Sequence, residues 1–198
     1  GTSSKQARSV SMSSKVKWGG IAGLAAAALL IISAILNQMR PGYAANNLYL
    51  NVVVLAAYIA VIVAVLGIHA LHSGTPRYGR LGTTGTVLTI AGYAIIVVVT
   101  VISMVQGQRS LLPVRLTGAG LVLVGSALLG VIIIRARLLP WWCGVLLIVT
   151  FPLGHYANAL FSSAENLLMA LLWASVGVAL LRRKEVDEAV LTQPARTG

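Results

Sequence analysis

Six apolar stretches dominate this chain: Trp18–Met39, Leu48–Leu71, Thr84–Val105, Val114–Ile134, Trp141–Phe161 and Ser163–Leu181. Their middles contain no Asp, Glu, Lys, Arg or His. Each is about 19–24 residues long, enough for a helix to cross about 30 Å of hydrocarbon at 1.5 Å per residue. In lipid the backbone must satisfy its own hydrogen bonds, which restricts stretches of this length to helices. The connections are short, so neighbouring spans form antiparallel hairpins. The expectation is an all-α, polytopic integral membrane protein: a six-transmembrane-helix bundle over residues 18–181. A basic flexible tail at 1–17 precedes it and a second tail at 182–198 follows. The chain does not open with Met, and Met12 is a candidate start.

Composition agrees. The chain is 58% hydrophobic and 10% charged, against about 45–50% and about 25% in a soluble domain. That excludes an ordinary water-soluble globule, and also a disordered chain, which needs low hydrophobicity. The net charge of +11 would suggest nucleic acid in a soluble protein, but position decides otherwise. With the N-terminus inside, 12 of the 15 basic residues fall on the inner side: Lys5, Arg8, Lys15, Lys17, Arg77, Arg80, Arg135, Arg137, Arg182, Arg183, Lys184 and Arg196. Arg40, Arg109 and Arg115 fall outside. The positive-inside rule then places both termini in the cytoplasm. Topology accounts for the charge, so no nucleic-acid partner is expected.

Two stretches are ambiguous. The first resembles a signal peptide in its basic start, but its apolar core exceeds the usual 7–15 residues, so a retained span is expected. In the fifth, Pro152 either kinks a continuous helix or ends a short helix before a re-entrant loop. The kink is preferred, because membrane helices tolerate Pro.

Polar residues within the spans are few. Asn51, Tyr58, His69 and His72 share one face of the second span at 100° per residue, and Thr86, Thr89, Tyr93 and Thr100 form a stripe on the third. Together, Asn51, Tyr58, Thr86, Thr89, Tyr93 and Thr100 are a candidate cavity lining, although polar side chains also simply join membrane helices. His69 and His72, three apart, share a helix face. With His155 they are the candidate ligands for a haem, pigment or metal, though interfacial hydrogen bonding explains them more economically. No metal site is expected from them alone, since further ligands are lacking. Glu165 is the one acid near a span. Ser162-Ser163-Ala164-Glu165 fits a capping box with Ser162 as N-cap, and His155 with Glu165 is a candidate outer polar pair. The lone Cys143 excludes an internal disulfide or a CxxC redox pair. No Walker, GxGxxG, HExxH or GxSxG motif is present, and no catalytic residue stands out.

The run from Leu129-Gly130-Val131 through Arg135-Ala136-Arg137-Leu138-Leu139-Pro140-Trp141 resembles a pattern in small six-span membrane proteins of bacteria, especially actinobacteria. There a span ends in Gly, a basic pair and Leu-Pro-Trp. The Arg182-Arg183 end of the last span is similar too. That resemblance implies a bacterial inner-membrane protein and no particular reaction. Three functions follow as expectations. The first is a non-enzymatic accessory or interaction subunit, as a homo-oligomer or part of a membrane complex in contact with membrane lipids. The second is a channel or carrier for a small uncharged or lipid-like solute. The third is a cofactor binder through His69/His72 or His155.

Overall fold

A computed structural model describes residues 2–39, 48–75, 78–106, 111–160 and 163–192. Six helices follow one another: α1 (Thr2–Met39), α2 (Leu48–His72), α3 (Gly79–Gln106), α4 (Leu112–Ala136), α5 (Trp141–Leu160) and α6 (Ala164–Thr192). The described residues contain no strand. Five helices hold segments long and apolar enough to cross a membrane: Ser14–Met39, Leu48–His72, Gly79–Val105, Leu112–Ala136 and Ala164–Arg182. The corresponding part of α5, Trp141–Ala157, is shorter. This is a multi-pass helical membrane protein.

Helices extend into both segments expected to be tails. α1 already begins at Thr2 and α6 continues to Thr192. The basic residues Arg40, Arg77, Arg109 and Arg196 of the charge count lie outside the described residues, as do Phe161 and the expected N-cap Ser162. α6 starts at Ala164, preceded by Ser163 with φ 79. The Ser163 carbonyl accepts the Leu167 N–H at 3.2 Å.

The helices form a closed ring in chain order, with α6 returning to α1. Trp173, Leu30, Ile68, Leu129, Ile133, Leu147 and Leu180 fill its interior. Ile31, Ile35, Val52, Ile59, Val87, Val98 and Leu171 point outward. A helix apolar on all sides is one that meets core on one face and lipid on the other. Ala26, Ala27 and Leu30 of α1 are buried in the common core, so the first stretch is an integral wall of the bundle.

Glycines set the helix spacing. A Cβ on Gly67 of α2 would lie 2.5 Å from the Gly19 Cα of α1. One on Gly92 of α3 would lie 2.6 Å from the Gly118 carbonyl of α4, and one on Gly130 of α4 would lie 2.5 Å from the Gly144 carbonyl of α5. Small residues at crossings let membrane helices gain packing energy from backbone contact. Gly20 and Gly23 of α1 meet Gly177 of α6 in the same way. These contacts put the start of the apolar part of α1, the end of α2 and the end of α6 at one end of the ring.

α5 is continuous from Trp141 to Leu160 with Pro152 inside it, so the re-entrant loop is not adopted. Residue 152 has no N–H to give the Ile148 carbonyl, which removes one helical bond. The turn before α5 is tight. Arg137 ends α4 in the left-handed region (φ 56, ψ 21) and donates its N–H to the Ile133 carbonyl. A non-glycine residue there costs about 1–2 kcal/mol. Leu139, 3% exposed, anchors the turn in the core.

Candidate functional site

A polar cavity of about 430 Å³ opens at the end of the ring opposite the α2–α3 turn. Five helices contribute to it: α1 through Ser33 and Asn37, α2 through Asn51 and Tyr58, α3 through Thr100 and Ser103, α4 through Arg115, and α6 through Glu165 and Asn166. Ser163, just before α6, also lines it. Only Leu50, Val54 and Val99 add apolar wall. Such a volume suits a small-molecule site, which usually spans about 300–1,000 Å³, yet this wall is far more polar than most.

Hydrogen bonds organise one side. Asn37 Nδ2 donates to Ser163 Oγ at 2.7 Å, and Asn166 Nδ2 donates to Ser33 Oγ at 3.1 Å. These bonds tie α1 to α6 at the mouth, above the glycine contacts that join the same helices lower down. Asn166 presents its amide carbonyl as an acceptor. Glu165 is half-buried, while Arg115 is exposed at the rim. They are the acid and the base of the lining.

Of the six residues expected to line a cavity, Asn51, Tyr58 and Thr100 do so. Thr86, Thr89 and Tyr93 do not. Thr89 Oγ1 donates to the Gly85 carbonyl at 2.8 Å, and its side chain meets Gly125 of α4. Tyr93 packs below the cavity with its ring 5.5 Å from that of Tyr58. Beneath Tyr58 the interior is closed. Thr89, Tyr93, Val122, Ser126, Leu147, Phe151, Met169, Leu172 and Trp173 surround a void of about 10 Å³, scarcely one water's worth of space.

At the other end, Thr86 belongs to a separate cluster. Its Oγ1 donates to the Gly82 carbonyl at 3.0 Å. That bond uses the one hydroxyl proton, so Tyr78 OH donates to Thr86 Oγ1, 2.5 Å away. His69 Nδ1 in turn donates to Tyr78 OH at 3.0 Å. His72, fully buried, donates Nδ1–H to the Ile68 carbonyl at 2.9 Å. Its ring lies 5.8 Å from the ring of Tyr78. His69 thus joins α2 to the α2–α3 turn, whereas the Nδ1–H of His72 bonds within its own helix. Burial pushes the Tyr78 phenol above its ordinary value, and the bond to Thr86 opposes part of that rise.

His155 is exposed, with its ring 6.4 Å from that of Tyr156, and does not line the cavity. Glu165, its expected partner, packs against Gly154 and faces the cavity, and His155 is the nearby charge that acts on it most strongly. Sequence reading missed Ser33, Asn37, Ser103, Arg115, Ser163 and Asn166 in the lining, and Tyr78 in the inner cluster. The one available signal was that Arg115 and Glu165 both sit at outer span ends. No protein-family model, curated protein or solved structure matches this chain.

Proposed function

We propose that this chain is a carrier for a small polar solute, with six spans and both termini in the cytoplasm of a bacterial-type cell. The observation that carries the reading is the polar cavity, open at one end and closed below Tyr58. A channel needs a continuous path, and the packing beneath Tyr58 favours a carrier resting in an outward-open state. In that topology the five long apolar helices are joined by α5, whose 20 residues reach about 30 Å at 1.5 Å per residue. The 12-to-3 division of basic residues supports the cytoplasmic termini. An accessory-subunit role draws support only from apolar outer faces, which any lipid-facing helix has. Cofactor binding draws little, because Nδ1 of His69 is engaged by Tyr78 and Nδ1 of His72 by the Ile68 carbonyl of its own helix.

The test is uptake of radiolabelled serine and glycerol into proteoliposomes of the purified chain. Saturable uptake of either, abolished in Ser103→Trp with the helical circular dichroism intact, is the expected result. Uptake equal to that of empty liposomes for both solutes overturns the carrier reading.

A further inference from the structure

We infer that the cavity takes a small zwitterion, with its ammonium toward Glu165 and its anionic oxygens toward Arg115. This deepens the carrier reading and rests on it.

The chain has four acidic residues, and three of them, Glu185, Asp187 and Glu188, follow the last apolar stretch. The remaining one, Glu165, faces the cavity. Its carboxylate is half-buried at the start of a membrane-length helix, where an ionisable group is costly and usually functional. Its place in the first turn of α6 also suits the helix dipole, and the expected N-cap Ser162 lies outside the described residues.

Arg115 supplies the opposite charge from α4, which α5 separates from α6 in the ring. His155 first and Arg115 second act on Glu165 electrostatically, and of these Arg115 is the one that lines the cavity, without a direct ion pair to Glu165 among the described residues. Arg115 and Glu165 stand on different walls of one cavity with space between them. An uncharged solute would engage neither charge directly. A singly charged solute would answer one of them. A molecule with an ammonium and a carboxylate or phosphate answers both, and a guanidinium suits the planar anionic group. Hydrogen-bonding groups complete the fit: the Asn166 carbonyl can accept from an ammonium, and the hydroxyls of Tyr58, Thr100 and Ser103 serve polar substituents.

The same chemistry has two sources, a free amino acid-like solute or the headgroup of phosphatidylethanolamine, since the mouth lies at a bundle end. Calorimetric titration of the full chain in detergent separates them. The probes are serine, O-phosphoethanolamine, ethanolamine and inorganic phosphate. A parallel arm compares nanodiscs of phosphatidylethanolamine with nanodiscs of phosphatidylglycerol by native mass spectrometry. Serine or phosphoethanolamine should bind at least tenfold more tightly than ethanolamine or phosphate. Glu165→Gln and Arg115→Gln should each remove at least tenfold, and Arg115→Lys should restore most of the loss. Retention of phosphatidylethanolamine alone, abolished by the same two Gln variants, assigns the lipid headgroup as the source. Two results overturn the inference: single charges binding as well as the zwitterions, or both Gln variants folding normally and binding within twofold. Glycerol uptake sensitive to Ser103→Trp, with no preference for zwitterions, would sink this inference alone and leave the carrier reading standing.

Discussion

α2 has two neighbours in the chain and meets them in opposite ways. Against α1 it offers Gly67, which lies so close to Gly19 that no side chain fits between the backbones. Against α3 it offers rings: Tyr58 beside Tyr93 near the cavity, and His69 and His72 beside Tyr78 at the turn. No glycine of α2 or α3 faces the other helix among the described residues. The glycine seam has backbone contact and no adjustable atoms. The aromatic seam has side chains that can turn and polar tips that need partners. Where backbones touch there is no room for a cavity, and the α1/α6 glycine contacts lie below the one to which Ser33, Asn37, Glu165 and Asn166 contribute. The lining accordingly gathers residues from both sides of the α2/α3 seam, Asn51 and Tyr58 on one and Thr100 and Ser103 on the other.

Substitutions can break this contrast. The largest effect belongs to Gly67→Leu. A Cβ there meets the Gly19 Cα at 2.5 Å, and backbone cannot rotate aside. Overpacking of this kind costs about 1–3 kcal/mol or more, so thermal unfolding in detergent should show a large loss of Tm or no folded protein. A normal Tm would show that the seam is not closely packed.

Tyr78→Phe comes next. It removes the hydroxyl between His69 and Thr86, at about 1–3 kcal/mol for a buried partner left unsatisfied. Hydrogen exchange should quicken around the α2–α3 turn while the glycine seams stay protected. The wild-type cluster also has a pH signature. A phenol whose folded pKa is raised contributes its stabilisation fully below its unfolded value and loses it as pH rises through the folded one. The contribution should therefore hold to about pH 10 and fade only above that, with phenolate absorbance reporting the transition.

Tyr58→Phe should keep the ring contact with Tyr93 and the fold. It should weaken solute binding about 2–10-fold, the worth of one hydrogen bond of about 0.5–1.5 kcal/mol. Thr89→Val is the smallest. Thr89 bonds its own helix and lies outside the cavity, so solute binding should stay within about twofold of wild type, a change of about 0.4 kcal/mol on the tenfold-per-1.4 kcal/mol scale. A larger loss would mean that the cavity reaches deeper than Tyr58.

The helices were legible because length without charge leaves a chain in lipid few options, and the stretch beginning at Trp18 does enter the core. The cavity was half legible. Asn51, Tyr58 and Thr100 follow from stripes on single helices. Ser33 and Asn37 required knowing that α1 closes against α6, a pairing between positions 133 and 126 residues apart. Helical periodicity within one span carries no such information. Thr86 and Thr89 misled for a physical reason: threonine in an apolar helix bonds back to the carbonyl one turn earlier, so a threonine stripe need not face a lumen. Tyr78 gave no signal, being a single ring in a short turn.

The closed packing around Trp173 has a bioenergetic consequence. A bilayer that stores a proton gradient tolerates a hole in one leaflet but not a file of water through both. With about 10 Å³ of void beneath Tyr58, no such file can form in this state. The described geometry thus pairs a polar, charged pocket at one end of the bundle with a packed interior that leaves no room for such a file.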